Sequence, residues 1–182
     1  MTRLEELLLA RSVRRGDFVL ASGQRSSYYI DCRLTTMSAE GMVLIGRAGL
    51  KAIRDAGWAV TAVGGLTLGA DPVAYAIAAA SFDSEPRLDA FTVRKAAKDH
   101  GTGRLIEGNF APGASVAVVE DVITSGSSAR LAIDAVQAEG GLVAGVVAVV
   151  DREQGGRQTL EAAGYPVRVL TTAAALGLGD RA

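Results

Sequence analysis

The chain has 182 residues, 19 Lys+Arg against 20 Asp+Glu for a formal net charge of −1, and is 49% hydrophobic but only 5% aromatic. That length suits one domain large enough to bury a core, and the balanced charge offers no global attraction for nucleic acid or an anionic membrane. One Cys and one His exclude an intramolecular disulfide framework, a multi-Cys metal site and a His-rich zinc site.

Met1-Thr2-Arg3-Leu4-Glu5-Glu6 carries acids where a signal peptide needs a basic start and an apolar run. The longest apolar stretch, 142–150, is about half the ~20 residues of a membrane-spanning helix. A soluble cytoplasmic protein is expected. Leu4, Leu7, Leu8 and Val13 recur at helical spacing and predict a first helix ending near Gly16. Phe18-Val19-Leu20 and Tyr28-Tyr29-Ile30 flank Ser22-Gly23-Gln24 and read as a β-hairpin. A helix is predicted over 39–56, then a short strand over 58–63 ended by Gly64-Gly65. Asp71 as N-cap and Pro72 as first residue open the next helix. Strands follow at 88–93 and 115–119, a helix from 125–127 to about Glu139, and a doubly buried strand at 142–150. A helix near 158–163 and a strand at 167–170 close the series. Strands alternating with helices predict an α/β fold with a central, mostly parallel sheet flanked by helices. The hairpin is a small N-terminal appendage, a hood over roughly 1–35. Residues 94–108 are polar and glycine-bearing without a period; a loop of ~15 residues inside a compact domain is usually functional or disordered.

Val116-Ala117-Val118-Val119-Glu120-Asp121-Val122-Ile123-Thr124-Ser125-Gly126-Ser127-Ser128 delivers two carboxylates to a strand end, then a hydroxyl-and-glycine loop opens into a helix. Ligands of open α/β sheets bind at that carboxyl edge. The N–H groups of such a loop and of a helix start cradle phosphate. The acids repel phosphate and so serve another part of the ligand, for which sugar hydroxyls are suited donors. A phosphorylated sugar is implied; the plainer alternative is an ordinary strand–helix connection with a hydroxyl cap.

Glu120-Asp121-Val122-Ile123-Thr124-Ser125-Gly126-Ser127 resembles the phosphoribosyl-diphosphate (PRPP) motif of type I phosphoribosyltransferases, in which the acids hold the ribose hydroxyls and the loop, here through Ser128, holds the 5-phosphate. Arg94-Lys95-Ala96-Ala97-Lys98-Asp99-His100-Gly101 resembles the mobile catalytic loop of the orotate branch of that family. The resemblance makes Lys98, Arg94, Lys95 and His100, with Asp121, the catalytic set. Their cationic and donor groups suit the charge that builds on departing diphosphate, and closure of the loop excludes water. A solvated basic loop is the alternative.

Two further segments resemble the orotate branch. Ser22-Gly23 followed by Ser26-Ser27-Tyr28-Tyr29 resembles the hairpin over the pyrimidine, with Tyr28 and Tyr29 on opposite strand faces so that one stacks on the base while the other packs inward. Arg152, after Val149-Val150-Asp151, matches the arginine that binds the orotate carboxylate, a task suited to a planar fork; a structural Asp-Arg pair is the alternative. Thr124 matches a hydroxyl contact to orotate. Leu66-Thr67-Leu68, within Gly64 to Pro72, matches the diphosphate loop, where the resemblance implies a non-proline cis peptide near Leu66-Thr67. Ala21 and Leu68 stand where many members carry lysine, and Glu120 where Asp is usual; Arg25, Arg33 or a neighbouring subunit are candidates for the missing charge. Cys32 reads as a packing residue.

The resemblance runs from Phe18 through Arg152 and implies transfer of a phosphoribosyl group from PRPP to orotate. It also implies Mg²⁺ held by substrate oxygens and water near Asp121 without a dedicated protein site, and a homodimer whose catalytic loop is shared across the interface. No nucleic-acid or membrane partner is expected. A purine transferase and a PRPP-binding regulator are the rival readings.

Overall fold

The first helix, α1 (Arg3–Arg11), is fastened at its start by a capping box between Thr2 and Glu5. The structure is a computed structural model that describes residues 1–19, 25–96 and 105–178. Leu4 and Leu8 of α1 are buried in the core. The helix stops five residues before Gly16 although Val13 continues its apolar phase. The Ser12 hydroxyl bonds to the buried Thr35 hydroxyl at 2.7 Å, and the Ser12 carbonyl accepts from Asp31 N–H. These ties turn the chain, and Val13 pairs instead with Ile30.

The hairpin is therefore longer than its apolar residues suggest: β1 (Val13–Val19) pairs antiparallel with β2 (Arg25–Ile30), with an irregularity between Arg15 and Phe18. It forms a two-stranded sheet apart from the main one. A short helix that the sequence does not announce, α2 (Arg33–Thr36), leads to α3 (Ala39–Asp55), whose Ser38 cap accepts from Gly41 N–H.

The remaining elements are β3 (Ala62–Leu66), α4 (Ala70–Ala80), β4 (Asp89–Val93), β5 (Ile106–Gly108), β6 (Ser115–Ile123), α5 (Ser127–Ala138), β7 (Leu142–Asp151), α6 (Gly156–Ala162) and β8 (Val167–Thr172). The main sheet runs β5-β4-β3-β6-β7-β8, parallel except for β5. Along β6, Ala117 and Val119 face the α1, α3 and α4 side, while Val116 and Val118 face α5 and α6. Both faces of the sheet are thus covered, as its unbroken apolar strands require.

Two strand limits differ from expectation for steric reasons. β3 starts four residues later than predicted and runs through Gly64-Gly65. A Cβ on Gly64 would lie 2.3 Å from the Phe91 carbonyl oxygen, and one on Gly65 2.1 Å from that of Val119. These glycines permit close packing against β4 and β6; they do not end the strand. Trp58 lies outside β3 and covers Gly145. Within 94–108, residues Ile106–Gly108 pair antiparallel with β4, and Arg94 N–H donates to the Leu105 carbonyl. The irregular stretch is accordingly shorter than predicted, and residues 97–104 lie outside the described residues.

Successive elements leave β3 in opposite directions: β4 lies on one side of it and β6 on the other. A crevice forms outside the strand ends at such a switch point. The ends of β3 and β6 are where the predicted diphosphate loop and the acidic pair sit.

Candidate active site

A cavity of about 330 Å³ opens at this switch point, lined among others by Tyr29, Leu68, Lys95, Glu120, Asp121 and Arg152. It adjoins a second of about 190 Å³ walled by Glu120 and residues 122–128. The two acids differ in setting. Glu120 is buried, and its Oε2 has no hydrogen-bond partner among the described residues. Burial first, then the adjacent Asp121 charge, pushes its carboxyl well above the usual carboxylate range, with Lys95 pulling weakly the other way. Asp121 is half-buried; its Oδ1 accepts from Val122 N–H at 2.9 Å. A Cβ on Gly69 would lie 2.5 Å from that oxygen, so the loop after β3 rests on this carboxylate through a glycine.

The second cavity lies at the start of α5, where a phosphate cradle was expected. Gly126 takes the left-handed conformation (φ 82°) at the N-cap of α5, where no side chain caps the helix. Ser127 N–H, the first of the helix, donates to Ser125 Oγ at 3.4 Å, and the Ser125 hydroxyl in turn donates to Ser127 Oγ at 3.1 Å. Val122, Ile123 and Thr124 form the wall that joins this cradle to the acids, and Ser128 and Thr124 also border the larger cavity.

Arg152 also lines the larger cavity, buried at 8% exposure, donating to Ser26 Oγ at 3.3 Å with its guanidinium 4.8 Å from the centre of the Tyr28 ring. Its Nε has no partner among the described residues. No ion pair joins it to Asp151, which accepts from Glu153 N–H instead, so the structural-pair alternative does not hold. A buried guanidinium with an unused donor needs an anionic partner. Tyr28 is buried beneath Arg152, whereas Tyr29 is exposed, lines the cavity and packs on Phe18 with ring centroids 5.8 Å apart.

No family model matches the chain. It is 48% identical over 179 residues to orotate phosphoribosyltransferase of Mycobacterium avium, covering 98% of this chain and 97% of that one. The chain belongs to the orotate phosphoribosyltransferase family. Among solved members, the Mycobacterium tuberculosis orotate phosphoribosyltransferase in complex with Fe(III) dicitrate superposes with a TM-score of 0.85 at 46% identity, covering 96% of this chain and 97% of that one. The same enzyme in complex with PRPP superposes with a TM-score of 0.81 at 43% identity, with the same coverage.

Measured against the orotate phosphoribosyltransferase pattern, the cationic set is only partly assembled among the described residues. Lys95 lines the larger cavity, while Arg94 faces a neighbouring one and lies 3.6 Å from Glu107. Lys98, His100 and Ala21 lie outside the described residues. Arg33 does border the larger cavity near exposed Leu68, but it is engaged by Asp31, to which its Nε donates at 2.8 Å. That guanidinium holds the Asp31 carboxyl below the usual range. Arg25 instead lies near Asp17 on the hairpin. The non-proline cis bond is Thr67–Leu68, one bond later than expected. Burial raises the Cys32 thiol, with the Asp121 and Asp31 charges adding to it, which agrees with packing and not with nucleophilic work.

Asp71 was expected as an N-cap, but Gly69 occupies that position and α4 begins at Ala70. Both Asp71 oxygens instead accept side-chain hydroxyls from Thr67 and Thr92. Sequence reasoning also missed Ser26 and Gly69, whose roles depend on residues 126 and 52 positions away. No local pattern signals either.

Proposed function

We infer that the chain transfers the 5-phosphoribosyl group of PRPP to orotate, giving orotidine 5′-phosphate and diphosphate, the pentosyl transfer of UMP biosynthesis. The observation that carries this is a pair of adjoining cavities, one at the start of α5 and the other lined by buried Arg152, whose Nε has no partner among the described residues. The cradle of residues 124–128 receives the 5-phosphate, and Glu120 and Asp121 accept from the ribose hydroxyls. Arg152, held by Ser26 and Tyr28, forks onto the orotate carboxylate, with Thr124 as a hydroxyl contact and Tyr29 along the ring. A neutral purine leaves the Arg152 charge unanswered. Bound this way, the anionic base faces C1 of ribose from the side opposite the diphosphate. The bond from C1 to diphosphate oxygen breaks as the bond to the orotate nitrogen forms, and negative charge collects on the departing diphosphate. The Leu66–Leu68 loop and the cations Arg94, Lys95, Lys98 and His100 stabilise that charge.

Mg²⁺ completes the substrate. Among the described residues no group of three or more His, Cys, Asp or Glu side chains forms a cage, and the half-buried Asp121 beside the cavity suits an ion that keeps water and substrate oxygens as ligands. The ion supplies charge neutralisation of diphosphate. The active form is a homodimer with the catalytic loop shared across the interface. Exposed Leu34, Met42, Val43 and Tyr75 on α2, α3 and α4, with Met37 just after α2, support it, being apolar surface suited to burial between copies. Among the described residues no helix is long and apolar enough to cross a membrane, and the reading places the enzyme in the cytoplasm.

The test is the fall of orotate's ultraviolet absorbance on mixing chain, PRPP and Mg²⁺. Decay with orotate and none with hypoxanthine or adenine is expected. PRPP binding by calorimetry without decay would favour the regulator, and turnover of a purine would overturn the base assignment.

A further inference from the structure

Beneath the Leu66–Leu68 loop lies a buried acid that the mechanism above does not use. Asp71, in the first turn of α4, is 8% exposed, and each carboxyl oxygen is taken by a different hydroxyl. Thr67 Oγ1 donates to Oδ2 at 2.7 Å, and Thr92 Oγ1 donates to Oδ1 at 3.0 Å. Tyr75 Oη lies 3.1 Å from Thr92 Oγ1. Because the Thr92 proton is committed to Asp71, Thr92 accepts from Tyr75. Thr67 is also tied by its backbone, whose N–H donates to the Val93 carbonyl at 2.8 Å.

These bonds join two parts of the site. Thr67 belongs to the loop after β3, whereas Thr92 and Val93 end β4, from which Arg94 and Lys95 follow directly. Only a carboxylate accepts from both hydroxyls at once; an amide in its place offers one acceptor and turns donors toward the other hydroxyl. A buried carboxylate so satisfied is held rigidly, and so are the groups that bond to it.

We propose that Asp71 is a positioning residue for the diphosphate end of the substrate, holding Thr67 and its loop in fixed relation to the β4 end that carries Arg94 and Lys95. The proposal rests on the assignment of Leu66–Leu68 to diphosphate. Asp71 does not touch the ligand; it acts through Thr67 and Thr92.

The test compares three ligands by calorimetry on the full chain: PRPP with Mg²⁺, inorganic diphosphate with Mg²⁺, and orotidine 5′-phosphate, which has no diphosphate. Asp71→Asn raises the Kd of PRPP and of diphosphate about tenfold and leaves that of orotidine 5′-phosphate within about twofold. Thr92→Val gives the same selective loss at about a third of the size, and Thr92→Ser, which retains the hydroxyl, restores binding to within about twofold. Should Asp71→Asn fail to fold, the Thr92 pair decides. Equal weakening of all three ligands by the folded variants, or unchanged diphosphate binding, overturns the proposal while the proposed function stands. A wild-type chain that binds neither PRPP nor diphosphate overturns that function and this proposal with it.

Discussion

Gly69→Ala separates stability from function at the acidic pair. Gly69 has helical angles (φ −64°, ψ −39°), so alanine meets no backbone penalty there. Its Cβ would, however, sit 2.5 Å from Asp121 Oδ1 and 2.7 Å from its Cγ. An unstrained carbon–oxygen contact is ~3.3–3.6 Å, so the carboxylate must swing away by about 1 Å. That swing breaks its 2.9 Å bond from Val122 N–H, at a cost of about 0.5–1.5 kcal/mol. Replacing glycine where the angles allow it returns about 0.4–1 kcal/mol through the unfolded state. The melting temperature therefore moves by no more than about 4 °C. A misplacement of ~1 Å at a reacting centre costs up to ~10²-fold, so the PRPP Kd rises roughly ten- to hundredfold. Calorimetric titration with PRPP and a thermal melt measure both. Inorganic diphosphate, which lacks the ribose, serves as control and should bind within about twofold of wild type. PRPP binding unchanged beside an unchanged melt would refute the claim that Asp121, where it now stands, holds the ribose.

Arg152→Met should raise the KM for orotate by about 10²-fold, in keeping with the ~2–5 kcal/mol lost when a buried charge pair loses one partner, and leave PRPP binding within about threefold. Its melt should not fall, because the guanidinium removed is buried with an Nε that has no partner among the described residues. Arg152→Lys should fail to restore orotate affinity, since an ammonium lacks the fork. Glu120 has a folded-state pKa above its ordinary 4.5. Its protonated form therefore favours the folded chain at low pH, and this contribution declines as pH rises from about 4.5 through the higher folded value. PRPP affinity should rise over the same window as the carboxylate forms, and Glu120→Gln should flatten both profiles in melts and titrations across pH. Gly65→Ala places a Cβ 2.1 Å from the Val119 carbonyl oxygen; it should cost about 1–3 kcal/mol, read as a lower melting temperature.

Most of the element series could be read locally. Helix α3 and strand β7 end within one residue of their predicted limits, because an apolar period bounded by a cap or a glycine is a short-range signal. Errors arose where a distant partner outweighed such a signal. Val13 fits the phase of α1, yet its pairing with Ile30 takes it into the hairpin. Gly64-Gly65 looks like a strand stop, yet β4 and β6 pass so close that only glycine fits. Ile106–Gly108 lacks a period of its own and becomes a strand because β4 offers it an edge.

The site divides in the same way. The acidic pair and the hydroxyl-and-glycine loop after it are contiguous in the chain, as is the hairpin, so the chemistry each could carry was open to inspection before any fold was known. Their meeting was not. It depends on β3 lying beside β6, and on β2 bringing Ser26 and Tyr28 to Arg152 from 126 and 124 residues away. Residue type and spacing act over a few positions and specify which groups the chain carries. Which of them stand within bonding distance, and that a supposed helix cap is a carboxylate shared by Thr67 and Thr92, follows from packing between segments far apart in sequence, where no short-range pattern operates.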